Sequence, residues 1–321
     1  MVLVFGAADL IDKPGVIREL VAAYPQSHVI GCSTAGEILD TTIRDDSISV
    51  AVCRFDDTTL RSVAAPVGGG VDQSRTAGRF LADALAAPDL RGVLVISDGI
   101  QVNGSELLAG LNEVLPSTVV VTGGLAGDGD RFKRTWIINE GTLREGHVSA
   151  IGFYGTRICI GHGSKGGWDI FGPERVVTKS VGNVLFEIDG RPALTLYKEY
   201  LGERAAGLPA TALLFPLALR SSRHDPKSLV RTILSTDEAT QSMTFAGNIP
   251  QGSLCQLMRA NFERLIDGAS EAARATNRDS AGDGDCLAIA ISCVGRRLVL
   301  GQRCEEEVEA VKEALPGGAQ L

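Results

Sequence analysis

The stretch "HVIGCSTAGEILD", residues 28–40, is an apolar run that ends in small polar residues with the potential to do chemistry. Cys32 is a candidate nucleophile, and the hydroxyls of Ser33 and Thr34, with nearby backbone N–H groups, could bind a carboxylate or another polar group. The neighbouring glycines allow a ligand to approach the backbone closely. Tight turns have the same composition, so ligand binding, catalysis and a simple turn all stay open.

Three other apolar runs in the first half also end in small or acidic residues. These ends read "FGAAD", "SDGIQVNG" and "TGGLAGDGD". If the strands are parallel neighbours, their ends lie along one edge of an open α/β sheet, where ligands usually bind. We therefore predict that residues 32–34 and 123–128 lie close together in space. The predicted ligand-binding residues are Cys32, Ser33, Thr34, Gly124 and Asp128.

The motifs of common enzymes and nucleotide-binding proteins are absent around these ends. "GCSTAG" does not keep the G-x-S-x-G spacing around Ser33, and no adjacent histidine supplies a base, although a distant base would also serve. "GGLAGDG" is not G-x-G-x-x-G, and GxxxxGK[ST] does not occur. A hydrolase or transferase that uses Cys32 is therefore the third-ranked function, and no catalytic residue is assigned.

The elements that position these ends alternate between strands and helices in the first half. Strands are predicted at residues 2–5, 29–30, 47–55, 60–65, 92–97 and 118–124, and helices at 16–23, 75–85 and from Asn103. Asn103 and Glu106 have the spacing of a capping box. Residues 148–188, which include "ICIGHGSKGGW", are predicted to be mostly β. Further helices are predicted between Pro192 and Gly202, at 261–275 and at 305–314.

This order of elements predicts an α/β fold, with two packed α/β domains whose mixed sheets are flanked by helices. The domains are placed at residues 1–190 and 191–321, with a soft boundary. Because no proline-rich or low-complexity linker separates them, the two halves are expected to pack together.

Composition excludes several classes of protein. The 321 residues carry a formal net charge of −8, which repels a phosphate backbone, so nucleic acid is not an expected partner. The seven cysteines include no CxxC pair, which argues against a disulfide framework or a zinc cluster and fits a reducing cytoplasm. No run approaches the roughly 20 apolar residues that cross a bilayer, and the start is unlike a signal peptide, so a soluble cytoplasmic protein is expected.

Four segments, in this order, resemble FIST sensory domains: "VIGCSTAGEI", "GGLAGDG", "GNVLFEIDGRPALTLYKEYLG" and "ISCVGRRLVLGQRCEEE". They span nearly the whole chain and are more specific together than any single glycine motif. The resemblance implies a FIST N-type ligand-binding domain followed by a FIST C-type domain, forming a signalling module without catalytic activity. It also implies small-molecule ligands such as amino acids. One bacterial branch consists of haem-binding nitric-oxide sensors that act beside histidine kinases or cyclic-di-GMP enzymes.

A haem of that branch would need an axial ligand such as histidine. Three of the four histidines lie in turns or polar surroundings, namely His28, His147 and His224. The fourth, His162, interrupts a predicted β run in which glycines would let a flat ligand approach. A purely structural histidine is the competing interpretation. The residues predicted to hold haem b are His162 as the metal ligand, Trp168 against the ring, and Lys165 and Arg175 at the propionates.

The leading specific function is therefore haem-based nitric-oxide sensing, with a haem-free receptor for an amino acid or another small polar metabolite as the alternative. The sequence contains no kinase, cyclase or phosphodiesterase signature. The output is therefore expected to pass to a separate histidine kinase or cyclic-di-GMP enzyme. A homodimer stays open, and a membrane partner is not expected.

Overall fold

The structure is a computed structural model, and it describes residues 1–68, 71–225, 228–276 and 285–321. In the first half, short strands rich in β-branched residues alternate with amphipathic helices, as the sequence predicts. The elements are β1 (Val2–Ala7), α1 (Gly15–Ala23), β2 (Val29–Thr34), β3 (Glu37–Leu39), β4 (Thr42–Arg44), β5 (Ile48–Val52), β6 (Thr59–Pro66), α2 (Val71–Leu85), β7 (Leu90–Ser97), α3 (Gly104–Val114), β8 (Val120–Leu125), β9 (Ile137–Asn139), β10 (Thr142–Arg144) and β11 (His147–Tyr154).

Two mixed sheets pack face to face in this half. Among the described strands, one sheet has the order β10-β9-β2-β1-β5 and the other β6-β11-β7-β8. The apolar layer between them includes Leu3 and Ile30 of the first sheet and Leu94 and Ile151 of the second. Helix α1 covers the outer face of the first sheet through Ile17, and α2 with α3 covers the outer face of the second. The result is a four-layer arrangement with helices outside and sheets inside.

The carboxyl ends of four strands meet at one end of this sandwich. β1 and β2 are parallel, with Ala7 opposite Thr34, and β7 and β8 are parallel, with Ser97 opposite Leu125. The strand ends are neighbours, as predicted, but the expectation of one shared sheet edge is wrong because the four strands belong to two sheets. Antiparallel strands such as β5 and β11 border the parallel pairs, and the alternation of elements in the sequence does not reveal this split.

The second half is built on a third sheet with helices packed around it. Its elements are β12 (Trp168–Val181), β13 (Val184–Ile188), β14 (Arg191–Pro192), α4 (Ala193–Leu201), β15 (Leu217–Arg220), β16 (Leu229–Arg231), β17 (Ile233–Asp237), β18 (Ser242–Phe245), β19 (Leu254–Ala260), α5 (Phe262–Thr276), α6 (Val294–Leu300) and α7 (Cys304–Ala314). Neighbouring strands follow the order β16-β15-β19-β12-β13-β18-β17, with β14 beside β13, and the pairs found among the described residues are antiparallel.

Alternation along the strands of the third sheet separates a core face from an outer face. Leu217 and Leu219 of β15, with Cys255 and Leu257 of β19, pack in the core beside α4. Because successive side chains of a strand point to opposite faces, the residues between them lie on the outer face. The helix α4 follows Pro192 and ends before Gly202, as predicted. The chain as a whole therefore has the α/β architecture expected from its sequence, with two packed domains and flanking helices.

The two halves are joined by hydrogen bonds at the start of α3. The side chain of Asn103 accepts the backbone N–H groups of Ser105 and Glu106, so the predicted N-cap forms. Its Nδ2 donates to Oδ1 of Asn248 at 2.7 Å, and Asn248 Nδ2 donates to Glu106 Oε1. Glu106 therefore binds the other half instead of closing the capping box. The third sheet also contains strands from both sides of residue 190. β12 and β13 precede that residue, and the other strands of the sheet follow it.

Two apolar runs form no strand. Residues 157–167 are irregular and pack against α5, so the predicted β run around His162 is wrong. The run at residues 285–293 is mostly exposed and leads into α6, with one bridge between Leu287 and Gln320.

Among the described residues, no helix combines the length and apolar character that crossing a membrane requires.

Candidate ligand-binding site

The loops that follow β2 and β8 touch each other. The backbone N–H of Gly127 donates to the carbonyl of Ser33 at 2.8 Å, and a Cβ added to Gly127 would lie 3.0 Å from the amide nitrogen of Ala35. The proximity predicted for residues 32–34 and 123–128 is therefore present. What joins the two loops is this hydrogen bond between their backbones.

The polar side chains of the first loop bind other parts of the protein. Ser33 is fully buried, and its Oγ accepts the backbone N–H of Trp136 at 3.1 Å. Thr34 Oγ1 donates to Glu37 Oε1 at 2.6 Å, and the other carboxylate oxygen of Glu37 accepts both the N–H and the hydroxyl of Ser47. Ser33 and Thr34 therefore fix the loop, and their hydroxyls are not free to hold a ligand.

Asp128 has the same structural role in the second loop. Its buried carboxylate accepts hydrogen bonds from Arg131 Nε at 2.8 Å and from the amides of Lys133 and Arg134 at 2.9 and 3.0 Å. These bonds hold residues 128–134 in a compact turn. Gly124, by contrast, provides close approach, because a Cβ there would lie 2.9 Å from Cγ2 of Ile291 in the second half.

Asp98, at the end of β7, is a buried organising residue for which sequence reasoning assigned no role. One carboxylate oxygen accepts the amides of Ile100 and Gln101, and the other accepts Thr135 Oγ1 and the amide of Gly146. The sequence signal was an acidic residue directly before glycine at a strand end. Its four hydrogen bonds fix the loop after β7 and leave little capacity for a ligand.

Cys32 lies in the core between the two sheets. It is 6% exposed and packs with apolar residues of both sheets. Burial removes the thiol from water and raises its pKa to about 12, so the thiolate needed for nucleophilic attack does not form near neutral pH. Cys32 is therefore a core residue and lacks the properties of a nucleophile.

Arg297 of α6 brings the second half onto the "STAGE" loop. A Cβ added to Gly36 would lie 1.5 Å from Nη1 of Arg297, so the guanidinium occupies the space of a side chain at position 36. Gly36 has a φ of 136°, a conformation that favours glycine. Nη2 of Arg297 also pairs with Oδ1 of Asp45 at 2.7 Å. We call the contact formed by Ala35, Gly36, Gly127 and Arg297 the junction.

The junction contains hydrogen-bond donors without matching acceptors. Within residues 1–68, 71–225, 228–276 and 285–321, no hydrogen bond involves the amide of Ala35 or of Gly36. The only ion pair of Arg297 there is with Asp45, whose side chain is 72% exposed, and exposed pairs contribute little. Two amides beside a guanidinium favour a negatively charged group with several acceptor oxygens. The donors of the junction are therefore of the kind that complement a carboxylate.

Arg297 was missed by sequence reasoning, although the segment that contains it was recognised. "ISCVGRRLVLG" is apolar apart from Ser292 and its two arginines, and an arginine pair in such a run is an unusual signal. The two have different roles. Arg296 is buried and binds Glu307, the carbonyl of Gly166 and the carbonyl of Leu265, whereas Arg297 faces the other half.

The residues predicted to hold haem do not form one pocket. His162 is exposed on the irregular segment beside α5. Lys165 pairs with Glu271 of α5 at 3.1 Å. Arg175, on β12, binds Asp189 and the hydroxyl of Tyr200 instead. Among the described residues, no group of three or more His, Cys, Asp or Glu side chains is placed to hold a metal ion.

The glycines near His162 have a different partner from the flat ligand predicted for them. A Cβ at Gly163 would lie 1.9 Å from the carbonyl oxygen of Ala272, and one at Gly161 would lie 2.2 Å from that of Thr276. These glycines let the segment lie directly on the backbone of α5. Trp168 begins β12 and pairs with Ala260 of β19. The residues present therefore do not fit a haem held by His162.

Comparison with known families is consistent with this arrangement of two halves that meet at a junction. Residues 1–191 match the FIST N domain and residues 193–321 match the FIST C domain. No curated protein matches the chain in sequence. FIST domains are associated with sensory signal transduction and with ligand binding. Since the two domains cover almost the entire chain, the protein belongs to the FIST family.

Proposed function

We propose that this protein is a haem-free sensory receptor that binds a small polar carboxylate at the junction. The observation that supports the proposal is the position of Arg297 against Gly36. The amides of Ala35 and Gly36 lie beside it and make no hydrogen bond within the described part of the chain. Guanidinium and amide groups are all donors, so they complement a carboxylate and disfavour a cation. Amino acids, hydroxy acids and dicarboxylates are the ligand classes with this chemistry.

The same arrangement offers a route for the signal. A bound carboxylate competes with Asp45 for Arg297, and Arg297 lies on α6, which belongs to the second half. Ligand binding therefore changes the contact between the FIST N loop and α6 if the ligand prefers one state of that contact. A separate protein reads the change, and the family resemblance makes a histidine kinase or a cyclic-di-GMP enzyme the candidate partner.

A thermal-shift screen tests the receptor function. A ligand that binds only the folded state stabilises it by about 2.7 kcal/mol at a hundredfold excess over Kd, which raises the Tm by several degrees. We expect at least one polar carboxylate to raise the Tm and its primary amide to have no effect. Arg297→Gln removes the response, whereas Arg303→Gln, in an exposed pair with Glu306 outside the junction, keeps it.

Failure of a broad carboxylate screen, or an unchanged response in Arg297→Gln, contradicts the proposal. For Ser33, which the sequence suggested as a ligand-binding residue, the structure predicts a stabilising role instead. Substitution of Ser33 removes the hydrogen bond to the amide of Trp136, so it is expected to lower the stability of the unliganded protein.

Haem-based nitric-oxide sensing is the narrower function that the resemblance implies, and it ranks second here. His162 is exposed, and Lys165 and Arg175 bind separate neighbours, so we derive no step through a haem. The absorption spectrum of protein purified after haem supply tests this function. A Soret band with one haem per chain would support haem-based sensing. The haem would then need a ligand set other than the one around His162.

A further inference from the structure

The strand β12 is interrupted by a bulge in the middle of the third sheet. Phe171 pairs with Leu257 of β19 and Arg175 pairs with Cys255, so three residues of β12 lie opposite the single residue Gln256. The first of the three, Gly172, has a φ of 81°, and Gln256 Nε2 donates to its carbonyl at 3.2 Å. Bulges of this kind occur preferentially next to functional sites, where they redirect a side chain.

Glu174 is the last of the three bulged residues, and beside it the sheet has a cavity. The cavity has a volume of about 240 Å³. Its lining residues come from β12, β15, β19 and the segment before β16, and they are Ile170, Glu174, Ala218, Arg220, Ser228, Leu254, Cys255 and Gln256. Ala218 and Leu254 lie on the outer face of the sheet and alternate with core residues. The cavity therefore has an apolar floor and a polar rim.

Two guanidinium groups share one carboxylate at the rim, that of Glu174. Arg220 and Arg223 both donate to the carboxylate of Glu174, and the Arg223 Nε to Oε1 distance is 3.1 Å. Arg223 does not line the cavity and its side chain is 80% exposed, whereas Arg220 does line it. Asp225, on the same loop, accepts the hydroxyl of Ser221 and is not part of the lining. Because Arg223 is a second partner of Glu174, a ligand that binds Arg220 does not leave Glu174 without a guanidinium.

We propose that this cavity binds a small monocarboxylate with an apolar body, with its carboxylate on Arg220 and its body against Ile170, Ala218 and Leu254. The volume is far above the roughly 10–15 Å³ that a single water needs on the same measure, so it has room for a small organic acid. The site shares no residue with the junction and goes beyond the proposed receptor function.

Calorimetric titration of the full chain with benzoate and 4-methylpentanoate tests the site. Both acids are expected to bind, and benzamide and 4-methylpentanamide, which have the same shapes without the charge, are expected to bind at least about tenfold more weakly. Arg220→Gln weakens binding of the acids by about ten- to a hundredfold. Glu174→Gln strengthens it, because Arg220 then has no competing carboxylate.

Arg259→Gln is the matched control, since Arg259 lies on β19 over the ring of Phe171 and outside the cavity lining. It is expected to change affinity by less than about twofold. Absence of heat with both acids, equal affinity for the amides, or unchanged binding in Arg220→Gln overturns the proposal. Arg297→Gln leaves benzoate binding intact if the two sites are separate. A failure at the cavity therefore does not count against the junction.

Discussion

The guanidinium of Arg297 lies where the first side-chain carbon of residue 36 would be in any residue other than glycine. An added Cβ at Gly36 would be 1.5 Å from Nη1 and 2.3 Å from Cζ of Arg297. Gly36 comes from the FIST N segment and Arg297 from the FIST C segment. Two segments recognised separately in the sequence therefore form one contact, and residue size at position 36 controls it.

Gly36→Ala is expected to destabilise the protein by about 1–3 kcal/mol and to reduce the response to carboxylates. The new methyl group displaces Arg297, and a φ of 136° is strained for alanine. Urea unfolding measures the first effect and thermal shift the second. Gly190→Ala is the control, because Gly190 also has a positive φ of 73° but no atom lies within 4 Å of an added Cβ.

A double-mutant cycle separates the strain from the clash in this contact. If the displaced guanidinium contributes, Gly36→Ala has a smaller effect when Arg297→Ala is already present. Equal effects in both backgrounds would mean that backbone strain alone explains the loss of stability.

The cysteines are expected to differ in both reactivity and pH dependence. At pH 8 iodoacetamide should label the exposed Cys159 and Cys286 before the buried Cys32 and Cys255. Burial raises the pKa of the two buried thiols from 9.0 to about 12, so above pH 9 they ionise in the unfolded state first. The unfolded state then binds fewer protons, and the free energy of unfolding falls as the pH rises from 9 to 12.

Cys32→Ala tests that pH dependence directly. Each buried thiol contributes a slope that approaches about 1.4 kcal/mol per pH unit in this window. The variant should therefore lose less stability between pH 9 and 11 than the unmodified protein. Rapid labelling of Cys32 in the native state would contradict its position in the core and revive the catalytic interpretation.

Gly163→Ala is expected to destabilise the protein strongly, and Gly166→Ala only weakly. At Gly163 an added Cβ would meet the backbone oxygen of Ala272 at 1.9 Å, and backbone of a helix cannot move aside easily. At Gly166 its nearest neighbour is Cγ2 of Val230 at 3.9 Å. Thermal unfolding of both variants compares them. Similar Tm values would mean that the segment does not rest on α5.

How much the sequence predicts depends on how local each feature is. The start of α3 at Asn103 and the end of α4 at Gly202 follow from capping rules that involve only neighbouring residues, and both are correct. The division of the strands into two sheets depends on distant pairings, such as that of β1 with β5, which alternation does not encode. Glycines near His162 were misread for a similar reason. The glycines do allow a partner to approach the backbone closely, as predicted, but that partner is the helix α5, more than 100 residues later in the chain.

The same distinction applies to the site. The loops around Ser33 and Gly127 were predicted to be neighbours from their positions at strand ends. Their side chains were assigned to a ligand because the groups that bind them become apparent only in three dimensions. Glu37 accepts the hydroxyl of Thr34, and the amide of Lys133 donates to Asp128. Arg297 was missed because its partner is 261 residues away, and no local pattern links an arginine on α6 to a glycine after β2.

Glu307→Gln is expected to lower stability by several kcal/mol. Arg296 and Glu307 form an ion pair in which both side chains are buried, with 2.5 Å between Nε and Oε1, and Ser292 donates to the other oxygen of Glu307. Removing one charge leaves the guanidinium buried without its counter-charge, a change that costs about 3–5 kcal/mol. Urea unfolding compares this variant with Glu306→Gln, whose pair with Arg303 is exposed and contributes at most about 1 kcal/mol. Equal losses would show that burial does not matter here.

His162→Ala is expected to leave the absorption spectrum and the stability of the protein unchanged. His162 is exposed. Lys165 and Arg175, the residues predicted at the haem propionates, bind Glu271 and Asp189 instead. Protein should be produced with haem supply, and the spectra of both forms recorded in the ferric and ferrous states, the ferrous form also with nitric oxide. His224→Ala, which alters another exposed histidine, is the control for any nonspecific haem association. If a Soret band disappears in His162→Ala and persists in His224→Ala, His162 binds the iron and the segment beside α5 must rearrange to hold it.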